Sequence, residues 1–157
     1  MRSKLNISQF RERFKENTKI GSPLLKLSPF GILNFGGISK PFYGDFDNSV
    51  FRLTANSSLF PTFYIIKGKY KVVNGTLKIE YSNEPRNKFQ LVWIKYFPVI
   101  ALAAMNLLFI TDKKVEIEFY IISNLSMIFI LFYSRWNTRR KKENLEQKFK
   151  EIFEITD

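Results

Sequence analysis

FQLVWIKYFPVIALAAMNLLFI (residues 89–110) and VEIEFYIISNLSMIFILFYSRW (residues 115–136), joined by TDKK, decide how this chain is built. Sixteen consecutive uncharged residues lie between Lys95 and Asp112, and another sixteen between Glu118 and Arg135. With their flanks the segments are each 22 residues long, against the ~20 needed to cross a ~30 Å hydrocarbon layer. Both are too long for buried strands, which usually run roughly 3–10 residues. The eight-residue link 111–118 suits two antiparallel helices joined by a short turn. The rival reading is a pair of core helices in a soluble bundle. A surface helix of such a bundle would show a polar stripe at 3.6-residue spacing. Here only Asn106, Ser123, Asn124 and Ser126 interrupt the apolar runs, and such residues can hydrogen-bond between helices. A transmembrane hairpin is therefore the expected structure.

Charge placement sets its expected orientation. Residues 1–88 hold 15 Lys and Arg against 6 Asp and Glu, and residues 135–157 hold 7 against 5, while the link holds 2 against 3. The positive-inside rule then puts both termini in the cytoplasm. Trp93 and Tyr96 at the start of the first segment match Tyr133 and Trp136 at the end of the second, an expected aromatic belt at one interface. Lys95 lies among them, where its stem can reach the headgroups. Arg135, Arg139, Arg140, Lys141 and Lys142 follow directly. They are expected to contact anionic lipid, each charge contributing ~1 kcal/mol near the surface. Pro98 either opens the deep part of the first helix or kinks it. Residues 1–17 contain no apolar core, so a cleaved signal is not expected.

Over all 157 residues there are 25 Lys and Arg and 14 Asp and Glu, a net charge of +11, with no Cys and no His. Lack of Cys removes disulfides, thiolate nucleophiles and Cys-based zinc or iron–sulfur sites. Lack of His removes the commonest general base and transition-metal ligand. Any catalysis would fall to Asp, Glu, Lys, Tyr or Ser, and no cofactor or metal is expected. The positive charge invites a nucleic-acid reading. However, Phe, Ile, Lys, Asn and Tyr supply 70 residues, and Lys outnumbers Arg 17 to 8. These are residues of A/T-rich codons, so part of the charge is compositional and nucleic acid is not the favoured partner.

Upstream of the hairpin, Ser8 is placed to cap a short helix through about Asn17, with Phe10 and Phe14 one turn apart on one face. That helix is expected to pack on a β domain rather than lie on lipid, because so short a helix is marginal alone. Ser22-Pro23, Ser28-Pro29 and Gly36-Gly37 break the chain into turns. The pattern then turns β. Asn74-Gly75 favours a two-residue type I′ turn, which pairs Val72 with Leu77, Tyr70 with Ile79, and Lys69 with Glu80. Lys71 falls opposite Lys78, the single discordant pair. Residues 42–47 and 50–54 read as a second hairpin around Asn48. Lys67, Lys69 and Lys71 share one strand face; they suit an anionic surface or ligand, though charge on a solvated sheet face is ordinary. Asp45 and Asp47 also share a face, beside the turn expected at Asn48. The tail, read as continuing the second apolar helix, places Leu145, Phe149, Ile152 and Phe153 at helical spacing, a stripe suited to covering the β domain or to docking a partner or second copy.

The expected architecture is an α+β membrane protein: an N-terminal amphipathic helix (1–20), a cytoplasmic antiparallel meander of four to six strands, as sheet or partial barrel (21–88), the transmembrane hairpin (89–136) and a basic amphipathic C-terminal helix (137–157). The order Phe51-Arg52-Leu53, Phe60-Pro61, Gly68-Lys69, Gly75-Thr76, then basic Arg86 and Lys88 before an apolar segment resembles an uncharacterised class of small bacterial membrane proteins. In those, a short β domain runs into transmembrane helices. The likeness covers residues 51–105 and departs after Pro61, where 62–66 is bulkier. It implies a bacterial origin and hence the inner membrane, and it carries no catalytic residue.

The functional expectation is a non-catalytic protein whose cytoplasmic β domain binds a ligand or partner at the membrane, as a sensor or accessory subunit. Its partners are the bilayer, anionic headgroups, and a protein or second copy met through the hairpin or C-terminal helix. Two alternatives stand beside it: a membrane effector whose hairpins oligomerise through Asn106 and Asn124 to breach the bilayer, and a soluble basic nucleic-acid-binding protein.

Overall fold

The computed structural model describes residues 1–23, 40–56, 63–111 and 116–156. The turns expected at 28–29, 36–37 and 60–61 and the charged link at 112–115 lie outside them. Among the described residues the chain is α+β, with three helices and a seven-stranded mixed sheet. It divides into two compact units: residues 1–86 with 141–157, and residues 87–140.

The first unit contains β1 (Arg2–Ser3), α1 (Ile7–Asn17), β2 (Thr18–Ile20), β3 (Phe42–Phe46), β4 (Val50–Ala55), β5 (Tyr64–Val73), β6 (Thr76–Pro85), β7 (Ile155–Thr156) and the last turns of α3 (Ile117–Ile152). The sheet order is β2-β3-β4-β5-β6-β1-β7, open with β2 and β7 at its edges. Asn74 and Gly75 both have positive φ, 52° and 74°, as a type I′ turn requires. The β5–β6 register follows from that turn, with Val72↔Leu77, Tyr70↔Ile79, Lys69↔Glu80 and Lys71↔Lys78.

Strands β3 to β6 form the expected antiparallel meander, but the sheet is larger and is not purely antiparallel. β2 runs parallel to β3, with Thr18↔Phe42 and Ile20↔Gly44, and β1 sits between β6 and β7. Strands of two or three residues carry no period-two alternation, so nothing local marks them. The helix start also differs. Asn6, not Ser8, caps α1: its side chain accepts from the Gln9 N–H at 2.9 Å, and Gln9 Oε1 accepts from the Asn6 N–H at 3.0 Å. This reciprocal pair is a capping box, and it places Ser8 inside the helix.

The C-terminal helix continues the second apolar segment. α3 runs unbroken for 36 residues, about 54 Å at 1.5 Å per residue. No Gly or Pro interrupts residues 117–152, and the Arg, Lys and Glu after Trp136 are good helix formers. Glu154, with φ 48°, reverses the chain just past the helix end before β7. A left-handed residue is a common helix stop.

One face of the sheet carries the core. Phe10 and Phe14 of α1, Phe42 and Phe51 of the sheet, and Phe149 and Phe153 at the C-terminal end are all essentially buried. Phe14 lies 4.4 Å from Phe153, and Phe149 lies 5.2 Å from Phe51 and 5.1 Å from Tyr81, ring centre to ring centre. Burying such rings dominates the energetics, and each favourably arranged pair adds roughly 0.5–1.5 kcal/mol beyond area. The tail stripe therefore closes the core of its own chain.

The second unit is α2 (Lys88–Thr111) with the preceding part of α3. Pro98 lies inside α2 and removes the donor to the Ile94 carbonyl. Both helices are long and apolar enough to cross a membrane, by length and composition.

Candidate functional site

Within the hairpin unit the less exposed positions include rows spaced by three or four residues: Ile94, Pro98, Ala101, Met105 and Phe109 on α2, and Asn124, Met127, Leu131 and Ser134 on α3. This is the seam of two helices packed side by side. Phe109 meets Phe119 and Tyr120 near the link, each at 5.8 Å. Midway, Asn106 Nδ2 donates to Asn124 Oδ1 at 2.8 Å. Asn106 also donates to the Leu102 carbonyl and Asn124 to the Tyr120 carbonyl, each one turn back. The two amides are thus spent largely within one hairpin. Ser123 is half-buried and Ser126 is exposed; neither joins that pair.

The outward faces are apolar and bare. Buried residues make up 6% of the most apolar window of α2 and 0% of that of α3. Helices filling the core of a soluble protein would be mostly covered. Trp93 stacks on Phe97 at 4.9 Å and Tyr133 on Phe129 at 5.9 Å, with Trp136 6.0 Å beyond Tyr133. The Lys95 ammonium stands 5.1 Å from the Tyr96 ring, and the Arg140 guanidinium 5.1 Å from the Trp136 ring. Such cation–ring contacts contribute about 0.5–1 kcal/mol when exposed. Arg135 and Arg139 are exposed as well.

Lys141 and Lys142 belong to the sheet unit. Their ammonium groups lie 5.6 Å from the Phe63 ring and 5.7 Å from the Tyr64 ring. Burial holds Lys141 below its ordinary pKa. Sequence reading missed Phe63 and Tyr64 as platforms, because about 78 residues separate each lysine from its ring. One turn further, Asn83 Nδ2 donates to the Lys142 carbonyl at 3.3 Å and the Tyr81 hydroxyl to Glu146 at 3.1 Å, while Lys150 pairs with Glu146 at 3.4 Å. Burial pushes Glu146 up, but the donors Tyr81, Asn83 and Lys150 outweigh it and hold the carboxyl below its usual value. Burial, with Glu146 adding, raises the Tyr81 phenol. These groups fasten α3 to β6.

The sheet face away from the aromatic core carries the charges. Asp45 and Arg52, directly opposite on β3 and β4, form an ion pair. Lys67 meets Glu84 at 2.9 Å, and Lys69 meets Glu80 at 3.0 Å. The hydrogen bond from Lys69 and its charge, with a contribution from Lys71, lower the Glu80 pKa. Asp47 accepts from the Ser49 and Val50 N–H groups at 2.7 and 2.9 Å. Those bonds hold its carboxyl below the ordinary range, and they make it a turn residue. Among the described residues no three acidic side chains gather as a metal site. Beyond the Lys69–Glu80 row, Lys71, Lys78 and Arg2 lie opposite one another on three adjacent strands, all exposed.

No protein-family model, no curated protein and no solved structure matches this chain, so the functional reading rests on these surfaces.

Proposed function

We propose that the protein is a non-catalytic integral protein of the bacterial inner membrane. The hairpin crosses the bilayer with both termini in the cytoplasm, and the sheet unit binds a ligand or partner there as a sensor or accessory subunit. The observation that carries this reading is the bare apolar surface of α2 and α3, with 6% and 0% of the relevant windows buried. Soluble monomers rarely expose contiguous apolar patches above a few hundred Å², whereas lipid tails cover such a surface at no cost. The aromatic residues and the run Arg135–Lys142 supply interface anchors at one end of both apolar segments. The carboxylates of the sheet unit described above, with the Tyr81 phenol, hold strands, turn and helix in place, which supports binding rather than chemistry.

Anionic headgroups are the proposed partners of Trp93, Lys95, Tyr96, Tyr133, Arg135, Trp136, Arg139, Arg140, Lys141 and Lys142. The effector alternative drew on Asn106 and Asn124, whose mutual hydrogen bond now supplies a role inside one hairpin. Likewise Leu145, Phe149 and Phe153 are buried in their own chain, so a partner is better sought elsewhere.

The test is an alkaline carbonate wash followed by cysteine labelling, which the Cys-free chain makes clean. The chain should stay in the membrane pellet. A membrane-impermeant maleimide should label Glu116→Cys from the outer side of intact spheroplasts, and Lys148→Cys only after lysis. Release by carbonate would sink the membrane reading and bring the soluble nucleic-acid reading forward; labelling of Lys148→Cys in intact cells would invert the orientation.

A further inference from the structure

Strand pairing assembles one cationic feature that the architecture does not use. Lys71 on β5, Lys78 on β6 and Arg2 on β1 are successive register partners. They therefore project from one sheet face at the ~4.8 Å spacing of neighbouring strands. Thr156 on β7, opposite Arg2, extends the row with a hydroxyl. Like charges directly opposite one another destabilise a sheet. Elsewhere on this face of β3 to β6 the cations are matched: Arg52 with Asp45, Lys67 with Glu84, Lys69 with Glu80. Among the described residues no acid forms an ion pair with Lys71, Lys78 or Arg2. The nearest register row holds Glu80, which Lys69 already engages.

We propose that Lys71, Lys78 and Arg2 form a binding site for a soluble oligophosphate. Three cations in a line of about 10 Å match the span of two or three linked phosphates. The Arg adds the planar fork suited to bidentate phosphate contact. A lipid surface would favour cations spread over the whole face, whereas across β3 to β6 and β1 the excess gathers in one row beside neutralised ones. The inference names the ligand of the sheet unit proposed above and rests on that half of the reading alone, independent of whether the hairpin crosses a bilayer.

The test is calorimetric titration of the full chain in uncharged detergent micelles with sodium tripolyphosphate. Binding tighter than about 1 mM is expected, weakened at least tenfold by Lys78→Gln at the centre of the row and unchanged by Lys19→Gln on the far edge strand. Relief of repulsion should leave Lys78→Gln at least as heat-stable as the parent, which separates lost binding from misfolding. Should that variant not fold, Lys71→Gln takes its place. A parent chain that binds no tripolyphosphate, or a variant that binds it equally, overturns the proposal. So does a row whose neutralisation weakens only the binding of phosphatidylglycerol vesicles or of an acidic protein. Each of these failures leaves the carbonate result, and with it the membrane reading, untouched.

Discussion

Phe149→Ala probes the step at which a helix leaving the hairpin becomes part of the sheet unit. Phe149 is fully buried, with its ring 5.0 Å from Phe153, 5.1 Å from Tyr81, 5.2 Å from Phe51 and 6.5 Å from Phe42. A buried Phe removes roughly 200 Å² from water, and at ~25 cal/mol per Å² that is an upper figure of about 5 kcal/mol. Alanine retains part of this, but the surrounding rings cannot fully collapse into the space left. The expected cost is about 3–5 kcal/mol, a large share of the ~5–15 kcal/mol available to a unit of this size. Hydrogen exchange of the full chain in micelles reads it directly, because the slowest amides of β5 and β6 exchange through opening of the whole unit. They should exchange about 150- to 4,000-fold faster, a factor of ten for each ~1.4 kcal/mol. Lys148→Ala, one residue away on the exposed side, should change them by less than about threefold. An acceleration below tenfold for Phe149→Ala would refute the argument and return the tail to a partner.

Four further outcomes are expected. Replacing residues 87–140 by a short Gly/Ser linker should give a soluble, folded sheet unit, since Asn83 and Lys142 already share a hydrogen bond, whereas residues 1–88 alone should show no cooperative unfolding by circular dichroism. A double-mutant cycle on Asn106→Ala and Asn124→Ala should give a coupling of about 0.6–2 kcal/mol in detergent unfolding; zero coupling would mean the amides do not meet. Gly68→Ala should cost about 1–3 kcal/mol by overpacking, because a Cβ there meets the Phe51 ring and stands 2.7 Å from the Glu80 carbonyl. Gly75→Ala, in open space but at positive φ, should cost less, as denaturant midpoints would show. Finally, the Asp47 pKa is lowered on folding, so its contribution is complete above the ordinary carboxylate value near 4 and is lost as pH falls through the lowered one. A plot of thermal midpoint against pH should therefore fall less steeply below about pH 4 for Asp47→Asn than for the parent.

The apolar segments and the Asn74-Gly75 hairpin were legible because each is set by local rules: length in one case, turn geometry with period-two alternation in the other. The register at Lys71↔Lys78 could be read before the structure. Its continuation to Arg2 could not, because β1 joins β6 across some 75 residues and a two-residue strand has no pattern of its own. Continuity of α3 was only half legible. The boundary drawn at residue 136 marks a change of composition from apolar to basic, and the helix runs through it because helix geometry responds to Gly, Pro and caps rather than to polarity. The capping of α1 was misread at Ser8 when Asn6 and Gln9, three apart, already formed the stronger signal. Phe63 and Tyr64 beneath the lysines depended on tertiary pairing throughout.

The sheet unit is built from both ends of the chain, and this has a consequence for biosynthesis. The Ser3 hydroxyl donates to the carbonyl of Phe153, 150 residues later, at 2.7 Å, and β1 is flanked by β7. A ribosome working at about 5–20 residues per second takes roughly 3–14 s to go from the end of β6 to Phe153. Throughout that interval the meander is translated but Phe149 and Phe153 are missing, so its aromatic face stands open. Any insertion of the hairpin begins against a nascent sheet that cannot yet close, and closure waits until Phe153 and β7 have been made. The vulnerable species in the cell is therefore a nascent chain not yet carrying Phe149 to β7, with an exposed row of phenylalanines, and a chaperone that shields it until then would set the yield.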